Sequence, residues 1–264
     1  MPIVYSAILP HSPILLPTIG KDVADKVSVT SQSFAKVAVE LSECTIDTIL
    51  VITNPDSKGI SDTFTIQTGE IVKATFEEFG DFVTQKEIKC DTVLALAIKR
   101  GLEEQHILSQ FNSDEKLDYS ASVPLILLNA LGTKIVVIQP PDCSFKTLMT
   151  YGEVLQKIIQ QSDKRIAVIA SGDLSHALTA DAPLGLRLEA TVVDQDIITL
   201  FRSRRMPVRK ITSFQKDAAL HAGVCGLNAF VLLGGMLHHM NFKPHFQSYE
   251  GPLGVGYYII SYTF

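Results

Sequence analysis

Short apolar runs alternate with longer stretches of helical spacing along most of this chain. Residues 3–9 (IVYSAIL) read as a first strand, and 48–53 (TILVIT), 134–139 (KIVVIQ) and 165–170 (RIAVIA) as three more. These last three are apolar at nearly every position, the pattern of strands covered on both faces rather than one. Helical spacing marks 23–44, where Val23, Val27, Phe34, Val37, Ala38 and Leu41 share a side. It also marks 92–105, 123–131 opening near Pro124, 144–161, a long amphipathic 184–205, and 221–239. Short strands are expected at 63–67 and 81–84, and a closing pair at 242–249 and 255–262 around Gly251-Pro252-Leu253-Gly254. Strands alternating with helices predict an α/β protein with a central, mostly parallel sheet flanked by helices.

Length and composition narrow this picture. At 264 residues, 46% hydrophobic and 19% charged, the chain suits one α/β domain over 1–264 with a sizeable core. The net charge of −5 argues against a nucleic-acid partner. The compact basic cluster Arg202, Arg204, Arg205, Arg209 and Lys210 falls where a helix end is expected, and cations suit a helix C-terminus. The longest apolar runs, 123–131 and 228–237, fall short of the roughly 20 residues of a membrane helix. The start MPIVYSAILPHSP lacks the basic lead and long apolar run of a signal peptide, so no membrane partner and a cytoplasmic location are expected. Cys44, Cys90, Cys143 and Cys225 are widely spaced, with no C-x-x-C pair and no disulfide framework.

In open α/β sheets, sites form beyond the carboxyl ends of the strands. The loops there contain Pro10-His11-Ser12-Pro13, Asn54-Pro55-Asp56-Ser57, Pro140-Pro141-Asp142 and Ser171-Gly172-Asp173-Leu174-Ser175-His176. His11 stands between prolines on a stiff loop, which suits a metal ligand. His176 offers proton transfer near neutral pH. Asp56 offers a carboxylate for a hard or borderline metal. Cys225, with His221 one turn before it, is expected near a helix start, where a thiol gains reactivity or metal affinity. On pattern alone, packing, capping and turn formation are the commoner uses of such residues. A hydrolase using Asp56 and Asp173 is a further reading of the same loops. Phosphate-loop, dinucleotide and serine-elbow motifs are absent from the sequence.

These segments resemble a known family. Ile8-Leu9-Pro10-His11-Ser12-Pro13, Pro55-Asp56, Val123-Pro124-Leu125, Ala170-Ser171-Gly172-Asp173-Leu174-Ser175-His176 and Ala222-Gly223-Val224-Cys225-Gly226-Leu227 follow the order seen in LigB-like class III extradiol dioxygenases. Memo proteins and AmmeMemoRadiSam system protein B share the plan. The resemblance implies an α/β sandwich and a non-haem Fe(II) held by two histidines and a glutamate. It further implies a third histidine as acid/base and a small aromatic (catechol) substrate. A homodimer or a small partner subunit is also implied.

Residue by residue, His11 matches the first histidine ligand, and His176 the catalytic histidine. Asp56 stands where the family has its second histidine ligand, Tyr119 where many members have a further histidine, and Val224 where many have the glutamate. Cys225 matches a cysteine near the metal site of Memo-type members, and Glu250 is a distant replacement carboxylate. A centre of His11, Asp56 and Cys225 is softer than the family's, favouring zinc or another divalent metal over Fe(II). Two functions are therefore expected: a metal-dependent ring-opening dioxygenase, or a non-catalytic Memo-like binding protein on the same scaffold.

Overall fold

The computed structural model describes residues 2–54 and 62–264. Its strands are β1 (Ile3–Leu9), β2 (Thr48–Ile52), β3 (Phe64–Gln67), β4 (Ile71–Phe76), β5 (Asp81–Lys89), β6 (Ser109–Asn112), β7 (Lys116–Leu117), β8 (Lys134–Gln139), β9 (Ile166–Ser171), β10 (Lys243–Glu250) and β11 (Tyr257–Thr263). Its α-helices are α1 (Ser28–Glu43), α2 (Thr92–Glu104), α3 (Tyr119–Leu127), α4 (Phe145–Gln160), α5 (Ala190–Phe201), α6 (Val208–Thr212), α7 (Lys216–His221) and α8 (Leu227–Leu237).

Eight strands form one sheet in the order β10-β11-β1-β9-β2-β8-β3-β6. Its middle, β1-β9-β2-β8, is parallel throughout. The β10-β11 pair and the β8-β3 junction are antiparallel. Alternate residues of the central strands serve two separate cores, as the twofold period of a strand requires. Leu50, Ile52, Val136, Ile138, Val168 and Ala170 pack with residues of α2, α4, α5 and α8. Ile49, Val51, Ile135, Val137, Ala167 and Ile169 pack with residues of α1, α3 and the small sheet β5-β4-β7. The α/β fold with a mostly parallel central sheet is as expected. No helix among the described residues is long and apolar enough to cross a membrane.

Several elements differ from expectation for local reasons. The helix expected over 23–44 begins at Ser28, after a 3-10 segment Lys21–Val27. Its cap comes from afar: Glu250 Oε1 accepts from the Thr30 backbone N–H at 2.8 Å and from its hydroxyl at 2.5 Å. Glu250 therefore satisfies a helix start, a use the sequence concealed. The 184–205 helix shortens to α5, because Gly185 takes a φ of 68° and residues before it fold back onto the chain. There Leu184 N–H bonds the His176 carbonyl and Arg187 N–H that of Ala177. The 221–239 helix shortens to α8: His221 instead ends α7, and Gly223, whose φ is 77°, turns the chain before α8 begins. Strand β4 was not anticipated, and β5 runs five residues beyond the expected 81–84.

The helix expected at 123–131 is α3, four residues earlier, capped by the Asp118 carboxylate through Ser120 N–H. Pro124 thus lies inside the helix rather than at its start. A proline there removes the N–H that would bond the carbonyl four residues back, that of Ser120.

Candidate metal centre

Three segments meet beyond the carboxyl ends of β1 and β9. His11 follows β1, Asp173 follows β9, and Cys225 lies in the break before α8. Their junction depends on two glycines. A Cβ on Gly172 would come within 2.0 Å of Gly226 Cα, so only glycine lets the two loops touch backbone to backbone. The contact is tied by Gly226 N–H to the Asp173 carbonyl at 3.2 Å, and by Gly172 N–H to the Leu9 carbonyl at 2.9 Å.

A ligand atom from each of His11, Asp173 and Cys225 lies within 4.8 Å of the other two. Cys225 Sγ is 3.4 Å from His11 Nε2. For a tetrahedral zinc with bonds near 2.05 Å to nitrogen and 2.3 Å to sulfur, the N···S edge is about 3.6 Å. The spacing fits a shared ion. Asp173 is doubly engaged: Oδ1 accepts the His11 backbone N–H at 2.9 Å, and its own backbone N–H points at Cys225 Sγ at 3.2 Å. An N–H aimed at sulfur suits a metal-bound thiolate.

The Ser120 carbonyl, which Pro124 deprives of its donor four residues on, bears on the tautomer of His11. Ser171 Oγ donates to that carbonyl. Its hydrogen is therefore committed, and it faces His11 Nδ1 at 3.2 Å as an acceptor. His11 then carries its proton on Nδ1 and presents the lone pair of Nε2 towards Cys225 and Asp173. That is the form of imidazole that binds metal. The ring is further fixed by the edge of Tyr119, 5.7 Å between centroids at 84°.

His176 is set in the same way. Its Nδ1 lies 2.7 Å from the Gly223 carbonyl and 3.1 Å from that of Leu174. Carbonyls only accept, so Nδ1 holds a proton and Nε2 is the basic atom. Nε2 stands 3.9 Å from Asp173 Oδ2, and the side chain is about a quarter exposed. It is placed to exchange protons with something bound at the cluster.

Behind the site lie buried carboxyl and phenol groups. Burial raises the Asp194 carboxyl above the usual carboxylate range, against the hydrogen bonds of Tyr249 Oη at 2.8 Å and Ser175 N–H at 3.0 Å. Burial, then the charge of Asp173, pushes the Tyr257 phenol up. Tyr257 thus stays protonated beside the carboxylate.

Of the expected site residues, His11, Cys225 and His176 come together. Asp56 lies outside the described residues. The sequence read Asp173 as part of a hydrolase site with Asp56, whereas the structure clusters it with His11 and Cys225. Val224 is buried in the core. His221 does not join Cys225: it is largely exposed and bonds Glu189 Oε1 at 2.5 Å. Ser171 was missed as a positioning residue. It stood in the loop that the sequence singled out, but nothing near it in the chain pointed to His11.

Residues 5–260 match the family model described as the catalytic LigB subunit of aromatic ring-opening dioxygenase. Among curated proteins, Protein CA_C1420 of Clostridium acetobutylicum is 28% identical over an alignment of 261 residues that covers 95% of this chain and 55% of that protein. The chain therefore spans about half the length of that relative. Among solved structures, the uncharacterized protein JW3007 from Escherichia coli K12 superposes with a TM-score of 0.70 at 12% identity, covering 98% of this chain and 99% of that one. That likeness is one of fold.

Proposed function

The chain belongs to the family of the catalytic LigB subunit of aromatic ring-opening dioxygenase, and from that premise we propose that it is a diverged, metal-dependent member whose centre is His11, Asp173 and Cys225. The observation that carries this is the meeting of His11, Asp173 and Cys225, with Cys225 Sγ 3.4 Å from His11 Nε2; the donation of Ser171 to the Ser120 carbonyl supports the Nδ1–H tautomer, which leaves the Nε2 lone pair for a ligand. Thiolate with imidazole and carboxylate is a borderline-soft set that favours zinc or copper over Fe(II). A bound ion would supply Lewis acidity to a coordinated oxygen or carbonyl. The protein's own residues do the rest. Ser171 and Tyr119 orient His11. The Asp173 N–H supports the sulfur. His176 Nε2 takes or returns a proton from a ligand held at the cluster.

A second reading is ring opening of a small aromatic substrate with Fe(II). It is favoured by the basic His176 Nε2 beside the cluster, the role the family gives its acid/base histidine. The two are separated by loading metal-free protein anaerobically with Fe(II) or with Zn2+, then following retention and catechol-dependent oxygen uptake. The rebuilt centre predicts zinc held at least tenfold more tightly and no oxygen uptake. Stoichiometric Fe(II) with catechol-dependent uptake that His176→Ala abolishes would establish ring opening instead.

A further inference from the structure

Helices α4 and α8 touch backbone to backbone. A Cβ on Gly152 would come within 2.3 Å of the Leu232 carbonyl, and one on Gly235 within 2.2 Å of that of Met149. Close contact at these glycines sets Glu153, the next residue on α4, against His238 and His239 at the end of α8. His238 Nδ1 is 2.8 Å and His239 Nε2 3.7 Å from the same carboxylate oxygen of Glu153. One ligand atom from each residue lies within 4.8 Å of the other two. The two imidazole rings lie 4.0 Å apart between centroids.

We propose that Glu153, His238 and His239 form a second metal site, on the surface and apart from the His11 cluster, taking a borderline divalent ion such as Zn2+. Two imidazoles and one carboxylate are a three-ligand zinc set that leaves a fourth position open. Tetrahedral bonds near 2.05 Å put ligand atoms about 3.3 Å apart, midway between the two spacings observed here. His238 and Glu153 are each a little over a quarter exposed and His239 is about two-thirds exposed, so an ion enters without opening the fold. Their helices are pinned by the glycine contact, so little ordering is needed on binding.

His238 and His239 line a surface cavity of about 360 Å³ together with Arg204 and Arg205. Those guanidiniums oppose a bare dication. They equally favour an anion as its fourth ligand, which lowers the net charge of the bound complex.

The test is Zn2+ titration of the whole chain by equilibrium dialysis at neutral pH in chloride buffer, comparing wild type, His239→Ala, Glu153→Gln and the control His245→Ala. His239 is exposed and the Glu153→Gln side chain is nearly isosteric, so both variants keep the fold. Each is expected to bind one ion fewer than wild type, or to bind it more than tenfold more weakly, while His245→Ala matches wild type. Cobalt substitution should likewise lose one set of visible absorption bands in His239→Ala. Because the comparison counts a difference, it reads the same whether or not the His11 cluster binds zinc. Equal stoichiometry and affinity in wild type, His239→Ala and Glu153→Gln would overturn the site and leave the His238–Glu153 contact as a tie between helices.

Discussion

At the scale of single residues, the position of one proton decides what His11 can bind. Ser171 gives its hydrogen to the Ser120 carbonyl and takes one from His11 Nδ1, so Nε2 is free for a ligand. Removing the hydroxyl frees the tautomer and the ring orientation. We predict that Ser171→Ala lowers metal affinity roughly tenfold to a hundredfold, the usual effect of losing such a support, and costs about 1–3 kcal/mol of stability, because the buried Ser120 carbonyl and His11 Nδ1 lose their partner; metal titration beside chemical denaturation checks both. His11 and His176 were singled out because each follows a strongly apolar strand, but pattern alone favoured packing or capping for both, and their roles came from the family resemblance. The part played by Ser171 was not legible. It depends on Pro124, 47 residues away in sequence, leaving one carbonyl without a helical partner. Cys225 was found through a family resemblance, but its neighbour His221 was misplaced, because Gly223 interrupts the helix that would have stacked them.

At the scale of elements, close approach and capping decide the geometry. The contact of Gly172 with Gly226 holds Asp173 beside Cys225. Gly172→Ala forces a Cβ into backbone and should cost at least about 2 kcal/mol, with metal binding weakened as well. Gly132→Ala is the control: a Cβ there meets nothing within 4 Å, and chemical denaturation should show it within about 0.5 kcal/mol of wild type.

Asp91 ties three elements. It caps α2 through Leu94 N–H, accepts from Thr48 Oγ1 on β2, and pairs with Lys164 just before β9. Burial pushes its carboxyl up, but Lys164, Thr48 and the Leu94 N–H outweigh this and hold it below the usual range. A lowered carboxyl stabilises the fold fully above its ordinary value near 4, and that contribution is lost as pH falls through the lower folded value. Asp91→Ala should therefore cost on the order of 3 kcal/mol at pH 7, with a smaller deficit below pH 4; denaturation at both pH values reads this. The strands TILVIT, KIVVIQ and RIAVIA were legible because burial on both faces leaves almost no polar position in them. Strand β4 was obscured because its pattern, exposed at Ile71 and Lys73 and buried at Val72, Ala74 and Phe76, belongs to a half-covered sheet inside an irregular stretch.

At the scale of the whole molecule, the order β1-β9-β2-β8 sets adjacent parallel strands so that the loops after β1 and β9 open side by side. Approach of the α7–α8 break to those loops completes the cluster. This explains why residues 11, 173 and 225 meet although none is near another in sequence. The fold class could be read from strand and helix alternation alone. His11, His176 and Cys225 were named from the loops and the family resemblance, but the place of Asp173 with His11 and Cys225 needed the sheet order and the break at Gly223. The family's ring-opening chemistry and this chain's thiol-bearing cluster make different demands on a metal, and the metal is where they can be compared.

The most direct measurement is elemental analysis of zinc-loaded protein in a His239→Ala background, which removes the outer cluster from the count, with His11→Ala and Cys225→Ala added separately. The account predicts about one ion per chain in the background protein and a loss of most of it in both additional variants, with circular dichroism unchanged. One ion per chain persisting in His11→Ala and Cys225→Ala alike would contradict it.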